Sequence, residues 1–362
     1  MSRSARARPH KIYQPGKRHM ELIASVSRSS GVDKDGDALR DFKVQQEYRE
    51  FIQEKLDKYR EDYPRFSYAS TKDDGKQKEA IQENLLILFR KLREGILSTK
   101  RADDFALEVY ETSLYLSVIF DSPKQTTSIL SHLLPNLYLK FPDLDSMPSR
   151  GSVRKTSLLS LLYNLIASYP SQSRYFEQIN SLPPKFLPRN SKEYRWIAEL
   201  SRCLRTRNYT RLESLTTKET IAEIIGTASL TPPSVKIPSE SVQRSTKSVS
   251  SKNPKSQVDH ETLELDTFVT LLSSIRSKTR STTWTIIRSA YMELNLSVSS
   301  STSEWLCRSL TLCPVDPGSE DSLKYDVDML VLGWIDERAK LGEVKKKEGS
   351  NVDDIWKLLK LG

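Results

Sequence analysis

Two groups of basic side chains are the residues of this sequence best suited to chemistry. Arg202, Arg205, Arg207 and Arg211 fall within ten residues, and Arg276, Lys278, Arg280 and Arg288 occupy a stretch, Thr267 to Met292, that contains no acid. Forked or flexible cations meet phosphate without needing a fixed spacing, so both groups are candidates for contact with a nucleic-acid backbone. A solvated helix face is the competing reading of each. The second group has an added argument, because a helix-turn-helix presses such side chains against a backbone.

Other chemistry finds less support. His10, His19, His132 and His260 lie far apart, and Cys307 and Cys313 form no CxxC pair, so neither a metal nor another cofactor is expected. The aspartates of Val32–Phe42 alternate like a calcium loop, but Gly36 is misplaced and Val44 stands where a bidentate Glu belongs. With no glycine-rich phosphate loop, GxSxG elbow or HExxH, no catalytic residue is nominated and an enzyme is not expected. Trp284, Trp305 and Tyr291 sit at helical spacing and are expected in the core.

The elements that would carry these residues are helices. The chain has 362 residues, a formal net charge of +9 and 12 glycines, a composition that favours stacked helices over a nucleotide-binding α/β enzyme. Three cysteines, no secretory signal and no run of about 18 apolar residues point to a reducing compartment and no membrane span.

Phe105–Tyr138 reads as two helices meeting at Asp121–Pro123, with apolar stripes too broad for a lone hairpin. Val44 to Tyr59, Ile81 to Ile96, Leu158 to Tyr169, Tyr194 to Leu204 and Ile221 to Ile225 repeat the helical period. A polar turn is expected at Asp73–Gly75, and Asn190 with Glu193 resembles a capping box. The succession without strand alternation predicts a mainly α fold, an antiparallel helical repeat or α-solenoid over 42–228.

The flanks differ. Residues 1–41 read as a disordered basic arm, since 1–20 carry six Lys and Arg and no acid, and 229–259 as a flexible Ser/Pro/Lys-rich insertion. Beyond it, Phe268–Ile275, Trp284–Leu294 and Ser301–Leu310 are expected as three helices. Asp326–Glu337 is ambiguous between helix and strand. Together these predict a small winged-helix-like module over 260–344, followed by a tail, 345–362, with solvated Lys345–Lys347 and an amphipathic turn at Ile355, Trp356 and Leu359.

Three stretches, FALEVYETSLYLSVIFDSPKQTTSILSHLLPNLY, RWIAELSRCLRTRNYTRLESL and WTIIRSAYMELNLSVSSSTSEWLCRSL, occur in an order that resembles the PCI-type domain of the suppressor-of-actin/GANP family, over roughly residues 77–340. The resemblance implies a helical repeat capped by a winged helix. It implies a non-catalytic scaffold in nuclear mRNA export, transcription or splicing-linked complexes, with protein subunits as partners, another PCI protein among them, and RNA or DNA as a further one. A subunit of a proteasome-lid-like or signalosome-like assembly is the alternative within the superfamily, and an enzyme of unrecognised type is a further one.

Overall fold

A computed structural model describes residues 17–28, 38–64, 72–141, 149–226, 254–296, 301–316, 326–347 and 355–360. The protein is mainly α-helical, with a single small sheet among these residues. It divides into two compact units, Met1–Ser113 and Leu114–Gly362, and the division falls inside one helix and within the span expected to be a single repeat.

In the first unit, α1 (Lys17–Leu22) and a 3-10 turn (Val26–Arg28) precede α2 (Phe42–Asp62), α3 (Lys72–Ser98) and the start of α4 (Asp104–Ile119). Asp41 starts α2 by accepting from the Lys43 and Val44 amides, two of the donors a helix N-terminus leaves orphaned. Tyr48, Ile52 and Leu56 of α2 and Leu85, Phe89, Leu92 and Ile96 of α3 are fully buried, as their spacing requires. The polar residues Asp73–Gly75 open α3 and do not form a turn before it. The expected arm is also partly folded, because Met20, Ile23 and Leu39 are buried. Residues 1–16, and the alternating Asp33, Asp35 and Asp37, lie outside the described residues.

Buried polar contacts fix how this unit packs. Gln45 donates to the Leu39 carbonyl at 2.9 Å and accepts from Arg101 at 2.9 Å, while Arg49 grips the Glu108 carboxylate with Nε and Nη2. Gly95 is where α3 passes Leu39 most closely.

In the second unit the end of α4 leads to α5 (Pro123–His132). A π turn (Leu133–Leu137) follows at Pro135, then a 3-10 turn (Tyr138–Lys140), so the expected second helix of the hairpin is interrupted. α6 (Ser149–Ala167), α7 (Ser173–Ser181), α8 (Lys192–Thr206), α9 (Tyr209–Leu215) and α10 (Lys218–Ile225) follow. Ser191, not Asn190, caps α8 by accepting from the Tyr194 amide at 3.2 Å. Asn208 and Thr217 cap the next two helices in the same way, and Gly226 ends α10 in the left-handed conformation.

The largest departure from expectation is α11 (Pro254–Ala290), a single helix of 37 residues where two were expected. It begins inside the stretch assigned to the insertion, whose residues 229–253 are not described. Glu264 on this helix is buried and pairs with Lys155 of α6 at 2.7 Å.

After α11 the order is β1 (Glu293–Asn295), α12 (Thr302–Ser309), α13 (Val327–Lys340), β2 (Val344–Lys346) and β3 (Ile355–Leu358). Asp326–Glu337 is therefore helical. The sheet is antiparallel in the order β1-β3-β2, with Leu294 opposite Trp356 and Lys345 opposite Lys357. Residues 345–362, expected as a tail, supply the central strand: Trp356 and Leu358 join Trp284, Leu306, Val331 and Ile335 in one core. A three-residue apolar alternation is too short to signal a strand by itself, and it becomes one here by pairing on both sides.

Substituting Gly95→Ala is expected to destabilise the protein by about 1–3 kcal/mol despite alanine's better helix propensity. The new methyl would sit 2.6 Å from the Leu39 carbonyl oxygen, which is backbone and cannot swing away. Denaturant unfolding checks this, and an unchanged midpoint would count against the packing described.

Candidate nucleic-acid interface

The two arginine groups occupy opposite environments. Those of α11 are turned inward: Arg276 is 2 % exposed and Arg288 is 7 % exposed. Arg276 donates from Nε to the Thr216 hydroxyl at 2.7 Å, from Nη2 to the Glu213 carbonyl at 2.9 Å and from Nη1 to the Cys313 carbonyl at 2.6 Å. Arg280 donates to the Leu310 and Thr311 carbonyls at 3.0 and 2.8 Å, and lies over the Trp334 ring at 5.6 Å. Arg288 forks onto the Leu359 carbonyl with Nε and Nη2 and pairs with Glu343 at 2.8 Å. Lys278 is more exposed, but its ammonium donates to the Ile166 carbonyl at 2.8 Å.

These partners share a logic. Glu213, Leu310 and Ile166 lie in the last turns of α9, α12 and α6, where helix carbonyls have no intrahelical donor and the helix dipole is negative. The cations of α11 close helix ends. Burial lowers the pKa of Arg276 and Arg280, with Glu213 and Glu337 pulling the other way. As folded, Arg276, Arg280, Arg288 and the exposed Lys278 each donate to a carbonyl.

Arg202, Arg205, Arg207 and Arg211 are exposed around the α8–α9 turn. α8 buries Trp196, Ile197, Leu200 and Leu204 and turns its other side outward, and Trp196 fixes the turn by donating Nε1 to the Leu215 carbonyl at 3.0 Å. Arg202 pairs with Glu199 at 2.6 Å, whereas Arg205, Arg207 and Arg211 make no ion pair among the described residues. Arg207 is the C-cap of α8 at φ 58°, a left-handed position that favours glycine.

Beside this turn is a cavity of about 380 Å³. Arg205 and Arg207 border it from α8, Tyr169 and Gln172 from the α6–α7 connection, Phe176 from α7, and Tyr209 from α9. Gln172 and Ser201 exchange hydrogen bonds of 2.9 Å, and Tyr169 donates to the Thr282 hydroxyl at 3.3 Å, which ties the wall to α8 and α11. Burial, with the neighbouring Tyr169 hydroxyl second, pushes the Tyr209 phenol far above its ordinary range, so it stays neutral. Phe176 is 43 % exposed.

The aromatic expectations divide. Trp284 is buried and donates to Glu343 at 2.8 Å, but Tyr291 and Trp305 are 47 % and 38 % exposed, with rings 5.4 Å apart edge to face. Cys307 and Cys313 face one another with 3.4 Å between sulfurs, a proximity their separation of six residues concealed. Their hydrogen bond lowers the Cys313 pKa to about 7 and raises that of Cys307. Among the described residues no cluster of His, Cys, Asp or Glu could hold a metal, and no helix is long and apolar enough to cross a membrane. The chain matches no family model, no curated protein and no solved structure.

The two groups predict opposite costs. Arg276→Met is expected to lower stability by about 2–4 kcal/mol, since the Cys313 carbonyl and the Thr216 hydroxyl lose the guanidinium that donates to them. Arg205→Met should change it by no more than about 0.5 kcal/mol. Chemical denaturation of both variants checks the assignment, and equal costs would undo it.

Proposed function

We propose that the protein is a non-catalytic scaffold of PCI type, a helical repeat carrying a winged-helix module, which holds protein partners in a nuclear RNA-processing, export or transcription assembly. The observation that carries the reading is the order of elements at the C-terminal end. Helix, strand, helix, helix, strand, strand, with the last strand between the other two, is the connectivity expected of a winged helix, and it arises here from α11 to β3.

In a helix-turn-helix variant the second helix of the pair is the reading helix, which corresponds here to α13. Its exposed side carries Asp328, Met329, Leu332, Asp336 and Glu337, a mixture of acid and apolar surface with Lys340 alone as an exposed cation at its end. Met329 is 68 % exposed. Phosphate would be repelled by this face, whereas a protein with a complementary basic and apolar surface would fit it. The module therefore favours protein contact over nucleic acid.

A second reading, a lid-like or signalosome-like subunit, has its own support. β1 and β2 are the outer strands of the sheet, and an outer strand can pair with another chain. Lys345 and Lys346 are exposed on β2, a charged edge that resists such addition, while β1 is preceded by the exposed Tyr291 and Met292.

Affinity purification of the tagged full chain is expected to recover a stoichiometric set of partner subunits. In the double variant Met329→Lys, Leu332→Lys at least one of them should fall about tenfold, as loss of a central apolar contact would produce. Recovery of the chain alone, or of the same set with the variant, would refute the reading. Sister subunits of like architecture in the set would favour the second.

A further inference from the structure

We infer that the cavity beside the α8–α9 turn takes an unstacked base of single-stranded RNA, with Phe176 as its stacking surface and Arg205 and Arg207 on the flanking phosphates. This deepens the proposed setting in RNA processing and places the contact on the helical stack, away from the acidic α13.

Three observations converge on it. The first is size: about 380 Å³ sits at the low end of the roughly 300–1,000 Å³ typical of small-ligand clefts, room for a nucleotide-sized group but not for a helix or strand of a partner. The second is the lining, which sets a partly exposed phenylalanine beside Tyr169 and the buried Tyr209. A π-face offers stacking to any base, while Gln172 and Tyr169 hold the wall through Ser201 and Thr282, which suits sequence-tolerant binding. The third is charge. Arg205 and Arg207 border the same cavity and Arg211 follows on α9, all exposed and without an ion pair among the described residues.

Forked guanidiniums beside an aromatic surface are the usual elements of sequence-tolerant single-strand binding. A phosphorylated peptide would use the arginines equally well but has no need of the exposed Phe176, so RNA is the better match. Duplex DNA is a poor match, because its stacked bases cannot enter a concave site of this size.

The test is fluorescence anisotropy of a labelled ten-nucleotide oligouridine with the full-length chain across a salt series. Wild type should bind with a clear salt slope. Arg205→Glu, Arg207→Glu should weaken binding at least tenfold and reduce the slope of log K against log salt by about 1.4, at about 0.7 per lost phosphate contact on a single strand. Phe176→Ala should weaken it by about fivefold or more with the slope unchanged, the signature of lost stacking. Lys345→Glu, Lys346→Glu, on exposed β2 and away from the cavity, should bind nearly as wild type.

Several results would overturn the inference. They are no binding by the wild type, equal loss in the β2 variant, an unaffected Phe176→Ala protein, or displacement of the RNA by a phosphopeptide at lower concentration than by unlabelled RNA. Unchanged thermal unfolding of each variant separates lost contact from lost fold. Partner recovery is a separate readout, so failure here leaves the scaffold reading standing and failure there leaves this one.

Discussion

The second unit depends on how helix ends are satisfied. Short helices such as α9 and α12 end inside the protein, where their last carbonyls lack intrahelical donors and water is scarce. α11 supplies side-chain donors to these ends, beside the backbone amides that already reach Glu213 and Ile166. Arg276 serves the end of α9, Lys278 that of α6, Arg280 that of α12, and Arg288 the residue after β3. A guanidinium carries five donors in a rigid fork, which lets one side chain tie two segments at once. Arg276 does so, joining α9 to the loop at Cys313. Apolar packing alone would bring these helices together without fixing where each one stops.

The same fact gives the basic stretch a second use that its composition does not separate from the first. Phosphate oxygens and helix C-terminal carbonyls both call for clustered cations, and the absence of acid between Thr267 and Met292 is common to both uses. A discriminating signal was nevertheless present in the spacing. Phe268, Leu272, Arg276, Arg280, Trp284 and Arg288 recur every four residues, so the arginines share a ridge with buried apolar positions. Arg202 and Arg205 lie off the stripe formed by Ile197, Leu200 and Leu204, which places them outside.

Helices with a long, clean apolar period were legible: α2, α3, α4, α6 and α8 lie where their stripes put them. The features that escaped depend on partners distant in the chain. β3 is a strand because β1 and β2 flank it, and α11 is continuous because each side finds something to pack against along its length. The cavity was not legible at all. Its walls come from three stretches distant in the chain, and nothing in any one of them marks a concavity. Its arginines could be named, but not its Phe176, which on α7 reads as one aromatic beside another.

One consequence of α11 concerns spacing. A helix of 37 residues is about 55 Å long at about 1.5 Å per residue, and it contributes to the helical stack at one end and to the core under the sheet at the other. No hinge separates the two. The packing around Glu264 and the sheet core around Trp284 are thereby held at a set distance by a single rod. A jointed chain of the same composition would leave that distance free to vary.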